Sequence, residues 1–198
     1  MSRLFTYVIT HDGGFAPNPF FGVLTLNCCK PMIRRAAEVG DWVAGFTAAD
    51  FPAGRGLLVY AMRVTSKMTM SEYDLWTRQN LPEKIPGRGD YSRRAGDGMY
   101  DFETDPPTRR RGSFHGPEDM RADLSGRYTL LSREFYYFGG SPVEVPGRLR
   151  SVVHTGRAHK WRENSPHVQE FETWIREFDP GLSGIPHQAS QFVTIGRR

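Results

Sequence analysis

Acid and base side chains that could carry catalysis lie in two separate stretches of the chain. Asp12 directly follows a β-rich stretch, and Asp97 and His115 lie in a Gly- and Arg-rich middle segment. Because carboxylates and imidazole are common general acids and bases, Asp12, Asp97 and His115 are candidate catalytic residues. Asp97 and His115 could pair, or orient a water. The alternatives are that Asp12, which precedes two glycines, only forms a turn, and that His115 is an ordinary loop residue.

Cys28 and Cys29 are adjacent, and they are the two cysteines of the chain. Neighbouring cysteines rarely bridge, so a reduced, cytoplasmic protein is expected. Pro31 predicts a helix start, which places Cys29 and Lys30 as ligand-binding candidates where backbone N–H groups favour anions and lower a thiol pKa. A nucleophilic Cys29 and a buried structural cysteine both stay open. No spacing completes a tetrahedral zinc set, so no metal and no cofactor are predicted.

A proline-aromatic loop spans residues 15–21, with the sequence FAPNPFF. Its two prolines fix φ, so Phe15, Asn18 and Phe20 are held in one arrangement that suits ligand binding. The rings could stack on a nucleobase while the Asn18 amide reads the edge of the base. The alternative is that both phenylalanines close the end of a barrel and Asn18 closes a turn.

Two further aromatic residues are ligand-binding candidates. Trp42 follows a Gly-Asp corner, and Tyr137 lies in a Phe-Tyr-Tyr-Phe run whose alternate rings face opposite sides of a strand. One face could stack on a base and the other must pack in the core. Either residue could instead belong entirely to the core.

Arg109, Arg110 and Arg111 form the strongest basic run, in a chain of 198 residues with a net charge of +4. On a loop, such a run suits salt-dependent phosphate contacts, so the three are candidate phosphate-binding residues. A solvated charge run is the alternative. No apolar run approaches the length of a transmembrane helix, so no membrane partner is expected.

The elements that must position these residues are predicted from periodicity and turn residues. Alternating β-formers predict strands, and apolar spacing or capping residues predict helices. The predicted strands cover residues 4–10, 21–27, 42–47, 56–70, 127–138 and 191–195. The predicted helices cover residues 31–39, 72–79 and 167–178, the second capped by Ser71. Residues 82–120 lack periodicity and are predicted to be a long loop, either disordered or functional.

These elements predict an α+β protein with a small mixed or antiparallel β-barrel, flanking helices and a long central loop. Residues 1–146 are expected to form the domain. Residues 147–198 are expected to add a C-terminal helix and tail packed on the same domain.

Several motifs resemble known families. The order Asn-Cys-Cys-Lys-Pro-Met-Ile-Arg-Arg, Val-Gly-Asp-Trp-Val-Ala-Gly-Phe and Leu-Leu-Val-Tyr-Ala-Met resembles the core of PUA-like domains, especially the EVE and YTH group. Residues 12–20, 29–34, 40–42, 96–100, 115 and 135–139 together resemble the bacterial and phage nucleotide modification associated domain 2 family, over residues 3–146. The resemblance implies a PUA-like fold and an association with DNA base modification, and it adds Arg34 and Tyr100 as ligand-binding candidates.

Residues and resemblance together predict a domain that binds nucleic acid or a nucleotide and recognises a modified or flipped base. The base would stack on the aromatic candidates, and DNA is favoured over RNA. The alternative is an enzyme that acts on the modified base or nucleotide, as a glycosidic-bond hydrolase or a base-modifying transferase. A third possibility is a partner within a modification or phage-defence complex.

Overall fold

The computed structural model of the protein describes residues 2–156, 159–163 and 166–189. Within these ranges, helices are interspersed with short strands along the chain, and the strands form three β-sheets. None of the sheets formed by these residues closes into a barrel. The α+β class is therefore confirmed, whereas the PUA-like barrel is not.

The strands are short and fall into sheets of six, three and two strands. In chain order they are β1 (Arg3–Ile9), β2 (Leu24–Leu26), β3 (Trp42–Thr47), β4 (Leu58–Arg63), β5 (Ser66–Thr69), β6 (Tyr100–Asp101), β7 (Thr108–Arg109), β8 (Tyr128–Ser132), β9 (Glu134–Tyr137), β10 (His159–Glu163) and β11 (Gly181–Leu182). The six-stranded sheet has the order β10-β1-β3-β4-β9-β11, the second sheet β2-β8-β5, and the third β6-β7. The strand predicted over residues 191–195 lies outside the described residues.

The pairing of β1 with β3 is parallel and determines where the site lies. Parallel neighbours need a crossover connection, and here that connection runs from residue 10 to residue 41. It carries the proline-aromatic loop, β2 and the first helix. The residues of this crossover are therefore brought to the C-terminal end of β1.

The strands predicted over residues 56–70 and 127–138 are each divided between two sheets. The first becomes β4 and β5, and the second becomes β8 and β9. At the bends, side-chain hydroxyls replace ladder partners: Ser132 Oγ donates to the Arg63 carbonyl at 2.5 Å, and Thr65 Oγ1 accepts from the Arg133 N–H at 3.1 Å. These bonds satisfy backbone groups that would otherwise be unpaired, which allows each strand to change sheets.

The helices are α1 (Pro31–Ala36), α2 (Met70–Asn80), α3 (Tyr91–Arg94), α4 (Met120–Leu124) and α5 (Pro166–Ile175). Helix α1 ends before the predicted Val39 because Ala37 is already extended. Helix α2 begins earlier than predicted, because Thr69 rather than Ser71 forms a capping box with Glu72.

The large sheet is covered on both faces. Helix α5 packs Phe171, Trp174 and Ile175 on one face, against Trp42 and Tyr136. On the other face, residues of β2, α1 and β8 pack against β1, β3, β4 and β9. Helix α5 therefore shares a core with the residues before position 146, while the domain division itself stays a prediction.

The middle segment is structured, and the expectation of one long loop was wrong. Between residues 82 and 120 it holds α3, β6, β7 and two 3₁₀ turns. The fully buried Lys84 joins it to the crossover: Nζ donates to Asn18 Oδ1 at 2.6 Å and to Thr25 Oγ1 at 3.1 Å. Thr25 in turn donates to Asp97 at 2.6 Å. Buried polar side chains, rather than apolar periodicity, order this segment, so hydrophobic patterning gives no sign of it.

Among the described residues, no helix combines the length and the apolar character needed to cross a bilayer.

Candidate active site

Cys29, His115 and Asp123 form a connected row of side chains. Cys29 follows β2, His115 follows β7, and Asp123 lies in α4. The Cys29 Sγ atom lies 3.7 Å from His115 Nε2, and His115 Nδ1 lies 2.6 Å from Asp123 Oδ2. This order of thiol, imidazole and carboxylate is the arrangement in which a base activates a nucleophile and a third group orients the base.

The turn that carries the thiol has an uncommon backbone. Cys29 and Lys30 have φ values of 56° and 39°, in the left-handed region that residues other than glycine seldom adopt. Asp123 Oδ1 accepts from the Cys29 N–H at 3.0 Å, which holds the turn from one side. Such conformations cost on the order of 1–3 kcal/mol each and persist where the surrounding structure enforces them. The enforced turn directs the thiol towards His115.

The surroundings of Cys29 favour its thiolate. A hydrogen bond from the Cys28 thiol, followed by the hydrogen bond and positive charge of His115, outweighs burial and lowers the pKa of Cys29 to about 5. Hydrogen bonds to Asp123 and then to Cys29 raise the pKa of His115 to about 10. The two side chains therefore form a thiolate–imidazolium pair at neutral pH, as in reactive cysteine sites.

Asp123 is held in its ionised form. Burial opposes ionisation, but the bonds from His115 and from the Cys29 N–H, together with that of Tyr100, keep the pKa of Asp123 below its usual value. The Tyr100 hydroxyl donates to Oδ2 at 2.9 Å. With these partners fixed, the carboxylate can orient the imidazole and stabilise its charge.

Arg34 ties the two sides of the row together. Its guanidinium is completely buried and donates from Nε to the Cys29 carbonyl at 2.8 Å and from Nη2 to the Asp123 carbonyl at 2.5 Å. A third bond runs from Nη1 to the Tyr128 carbonyl at 2.8 Å. Gly126 makes this possible, because a Cβ atom there would overlap the guanidinium. Arg34 is therefore a positioning residue for both the nucleophile and the carboxylate.

A cavity of about 370 Å³ lies in front of the thiol. The C-terminal end of β1 and the proline-aromatic loop form much of its wall, together with Lys30, Phe114 and His115. The Phe15 ring meets the His115 ring edge to face, with centroids 4.8 Å apart. Lys30 places its ammonium 4.4 Å from the centroid of the Tyr7 ring, and burial lowers the pKa of this lysine. Aromatic walls around a few polar groups, at this volume, are typical of a small-molecule site.

The sequence model of one family, described as nucleotide modification associated domain 2, matches residues 1–193. The chain belongs to this family. The match extends well beyond the residues 3–146 expected from the motifs, and it includes every residue of the cavity. No curated protein and no solved structure gives a significant match to the chain.

Several residues of the family motifs lie at the site. Phe15, Cys29, Lys30 and His115 line the cavity, while Arg34 and Tyr100 support it from behind. Cys29, predicted as a ligand contact with nucleophilic catalysis left open, is placed against His115, which was predicted as an acid or base. The individual roles stay predictions.

The other predicted residues lie elsewhere. Asn18 and Asp97 are fully buried in the Lys84 network, and Trp42 is buried on the α5 face of the sheet. Asp12 accepts hydrogen bonds from the Tyr137 hydroxyl and from the His187 N–H. The two predicted site residues Asp12 and Tyr137 therefore hold the segment that follows β1 in place. Phe20 is not among the described residues that line the Cys29 cavity, and the centroid of its ring lies 6.4 Å from that of the Tyr91 ring.

The basic run divides among three environments. Arg110 forms a salt bridge with the buried Asp74 at 2.7 Å, and Arg109 donates to the Arg110 carbonyl at 3.3 Å. Arg111 is exposed and borders a second cavity beside that of Cys29.

Three residues of the Cys29 site were not among the candidates from the sequence. They are Phe114, Asp123 and Cys28, the last of which donates a hydrogen bond to Cys29. A search for any His and carboxylate able to accompany Cys29 would have included Asp123. No local signal distinguishes it, however, because its side-chain partners lie 8, 23 and 94 positions away.

Cys28, Cys29 and His115 also offer ligand atoms to a thiophilic cation. Their ligand atoms lie within 4.8 Å of one another. A structural zinc site takes four protein ligands and a catalytic one takes three, so three donors would leave one position open. Such a cation would compete with the hydrogen bonds that hold the thiolate.

Proposed function

We propose that the protein is a thiol-dependent enzyme that modifies a nucleobase, on a nucleotide or in nucleic acid, through a covalent bond to Cys29. The observation that carries this proposal is the Cys29 thiolate held between Cys28 and His115 at the wall of a cavity of about 370 Å³. Membership of a family associated with nucleotide modification supports the class of substrate. The chemistry comes from the geometry, because the family name states no reaction.

The reaction that suits this pair is addition and elimination at a trigonal carbon of the base or of a group attached to it. The thiolate attacks that carbon, a C–S bond forms, and the π electrons move to the carbonyl or imine heteroatom. The C=O or C=N bond then re-forms while the leaving amine or alcohol departs with the proton of His115. Neutral His115 takes a proton from water or a second nucleophile, which displaces the sulfur and regenerates the thiolate.

Other groups of the site serve this sequence. Lys30 lines the cavity and would stabilise negative charge on the heteroatom of the adduct. Asp123 would keep Nε2 of His115 directed at the sulfur. Phe15 and Phe114 offer ring faces and edges against which a base could stack, a contact worth about 1–3 kcal/mol in single-strand binders.

Recognition of a modified or flipped base without chemistry is the second candidate function. The aromatic lining of the cavity favours it, since the same walls would hold a base whether or not a bond forms. A PUA-like relationship and a role within a DNA modification or defence system belong to this proposal as well. An activated thiol adds nothing to recognition alone, which is why the enzyme is preferred.

The test compares nucleoside profiles before and after incubation. DNA from phages with modified bases, matched unmodified DNA and the free nucleotides are treated with wild type, Cys29→Ala, His115→Gln and the exposed-site control Arg133→Ala. Digestion and mass spectrometry then quantify each nucleoside, and acid-quenched protein is weighed intact. We expect wild type and Arg133→Ala to convert one modified nucleoside and to show a covalent adduct, and Cys29→Ala to do neither.

Two outcomes would contradict the proposal. Equal conversion by wild type and Cys29→Ala would remove Cys29 from the reaction. Tight binding of a modified base by both proteins, with no conversion and no adduct, would establish recognition as the function.

A further inference from the structure

A second cavity, of about 570 Å³, adjoins the Cys29 cavity. Phe114 belongs to the wall of both, and its side chain is 38% exposed. The opposite wall comes from α3 and the preceding loop. The Tyr91 hydroxyl of α3 donates to the carbonyl of Gly13, itself a wall residue of the Cys29 cavity, at 2.5 Å. The two cavities are therefore neighbours with fixed relative positions.

Three arginines from three segments line this second cavity: Arg88, Arg94 and Arg111. All three are exposed, and none of the three side chains forms a hydrogen bond or salt bridge with another residue in the described part of the chain. None of the described residues that line the cavity carries a carboxylate. We call this set the arginine cavity.

Neighbouring charged groups are already engaged. Arg93 donates to the Pro82 carbonyl at 2.9 Å, and Arg110 pairs with Asp74. The nearby carboxylate Asp90 caps α3 and accepts from Ser92 at 2.7 Å and from the Arg93 N–H at 3.1 Å. The bond from Ser92 lowers the pKa of the Asp90 carboxyl, and Arg94 lies close enough for its charge to help lower it. Among the described residues, the arginine cavity nevertheless brings three guanidinium groups together without a salt bridge, and such groups match phosphate geometry well.

We propose that the arginine cavity binds the phosphate groups of the nucleotide substrate. The proposal rests on the proposed function for one of its parts, namely that the base of the same substrate lies at Cys29. Three guanidinium groups suit more than one phosphate charge, as in a nucleoside di- or triphosphate or in consecutive phosphates of a strand. The rings of Tyr91 and Phe114 offer apolar surface beside them.

The experiment uses three probes: pyrophosphate, dTTP and the oligonucleotide (dT)₁₀. Binding is measured for wild type, Arg88→Ala, Arg94→Ala, Arg111→Ala and the exposed control Arg133→Ala, with melting temperatures to verify folding. The rate at which iodoacetamide alkylates Cys29 is recorded with and without dTTP, as a separate report on the Cys29 cavity.

We expect each of the three substitutions to weaken dTTP binding about tenfold, the effect of losing one charge-assisted contact, and Arg133→Ala to change nothing. Pyrophosphate should compete with dTTP. With (dT)₁₀, the slope of log K against log salt should become less negative by about 0.7 for each arginine removed. Tighter binding of dTTP than of (dT)₁₀ identifies a free nucleotide as the source of the phosphates, and the reverse identifies a strand.

Unchanged binding of all three probes by the three variants would overturn the arginine cavity as a phosphate site. The alkylation of Cys29 in the presence of dTTP tests the proposed function separately. If the variants lose affinity but bound dTTP leaves the alkylation of Cys29 unprotected, the phosphate site stands and the placement of the base at Cys29 fails.

Discussion

The sulfur of Cys29 has two hydrogen-bond donors, and these determine its reactivity. The Cys28 thiol and the imidazolium of His115 both stabilise negative charge on it, while burial opposes that charge. The thiolate is therefore the stable form over a wide range of pH. Its reactivity can be measured without knowing the natural substrate.

We predict an almost flat pH profile for alkylation of Cys29 by iodoacetamide. With the pKa of Cys29 at about 5, the rate should rise between pH 4 and pH 6 and stay nearly constant to pH 9. In His115→Ala the midpoint moves upwards and the rate at pH 6 should fall tenfold or more, because a donor and a charge are lost. A wild-type rate that keeps rising tenfold per unit through pH 8 would contradict the thiolate.

The same pair predicts how stability depends on pH. The pKa of Cys29 falls from 9.0 to about 5 on folding, so the contribution of Cys29 to the free energy of unfolding is lost as the pH falls towards 5. The pKa of His115 rises from 6.5 to about 10, so its contribution is lost as the pH rises towards 10.

Between pH 6.5 and pH 9, the stability gained from Cys29 as the pH rises is offset by the stability lost from His115. The difference in melting temperature between wild type and the double variant Cys29→Ala/His115→Ala should therefore be largest and flat in this window, and smaller on both sides. A difference that is constant from pH 4 to pH 11 would show that the pair contributes no linked protonation.

Cys28 offers a matched pair of substitutions. Cys28→Ala removes the largest contribution that lowers the pKa of Cys29, whereas Cys28→Ser keeps a donor at the same place. We expect alkylation at pH 6 to slow about tenfold or more in Cys28→Ala and much less in Cys28→Ser. Equal rates in the two variants would mean that Cys28 acts only through packing, which its complete burial would also allow.

At the residue scale, four residues proposed from the sequence are brought to one cavity by the structure, but the sequence did not indicate how they pair. Cys29, Lys30, Phe15 and His115 were all candidates, and all four line one cavity. Asp123 was not a candidate, because the proximity of α4 to the Cys29 turn depends on tertiary contacts that leave no mark on the local sequence. Residue type alone could not separate Asp123 from the engaged Asp97.

At the scale of elements, the site is assembled from a crossover and a segment that was expected to be a loop. Helix α1 has six residues and begins two positions after Cys29, and the partners that lower the pKa of the thiol are Cys28 and His115. Arg34 of α1 reaches the carbonyl of Asp123 and thereby joins α1 to α4.

Gly126 tests this junction. Gly126→Ala would bring a methyl group into the space of the Arg34 guanidinium, so we expect a loss of about 1–3 kcal/mol in the free energy of unfolding, the usual cost of overpacking. Alkylation of Cys29 should slow as well, because the turn loses its support. Urea unfolding measures the first effect and iodoacetamide the second.

Gly147→Ala is the matched control, since a Cβ atom at Gly147 meets no other atom within 4 Å. It should change the free energy of unfolding by less than about 0.5 kcal/mol. Identical behaviour of the two variants would show that Arg34 can move without consequence for the site.

The elements themselves were predictable where periodicity is strong. The strands at Arg3–Ile9 and Trp42–Thr47 and the helix at Pro166–Ile175 lie close to their expected positions. The divisions of β4 from β5 and of β8 from β9 were not predicted, because β-forming residues continue through both bends and only the hydroxyls of Thr65 and Ser132 mark them.

At the scale of the whole molecule, Lys84 connects the middle segment to the crossover. Its ammonium is buried among the oxygens of Asn18, Val23 and Thr25, and burial lowers its pKa to about 7. This connection holds the crossover and the His115 segment in one body. The hydrophobic pattern of the sequence predicts neither the proximity of these two segments nor the buried hydrogen-bond network between them.

We predict that Lys84→Met lowers the free energy of unfolding by about 1–3 kcal/mol, because it leaves buried acceptors without a donor. Urea denaturation at pH 6 measures this change. The exposed Lys160→Met is the control and should stay within about 0.5 kcal/mol of wild type. A loss of less than 1 kcal/mol in Lys84→Met would mean that the network contributes little to holding the two segments together.

The pair Cys28 and Cys29 has a practical consequence for anyone who handles the protein. Both cysteines of the 198-residue chain lie at this site, and only Cys29 faces the cavity. A thiol-reactive label at mildly acidic pH should therefore attach once per molecule, at the nucleophile alone. The mass of the labelled sample then counts competent molecules directly, so a preparation can be standardised by its active fraction before any substrate is known.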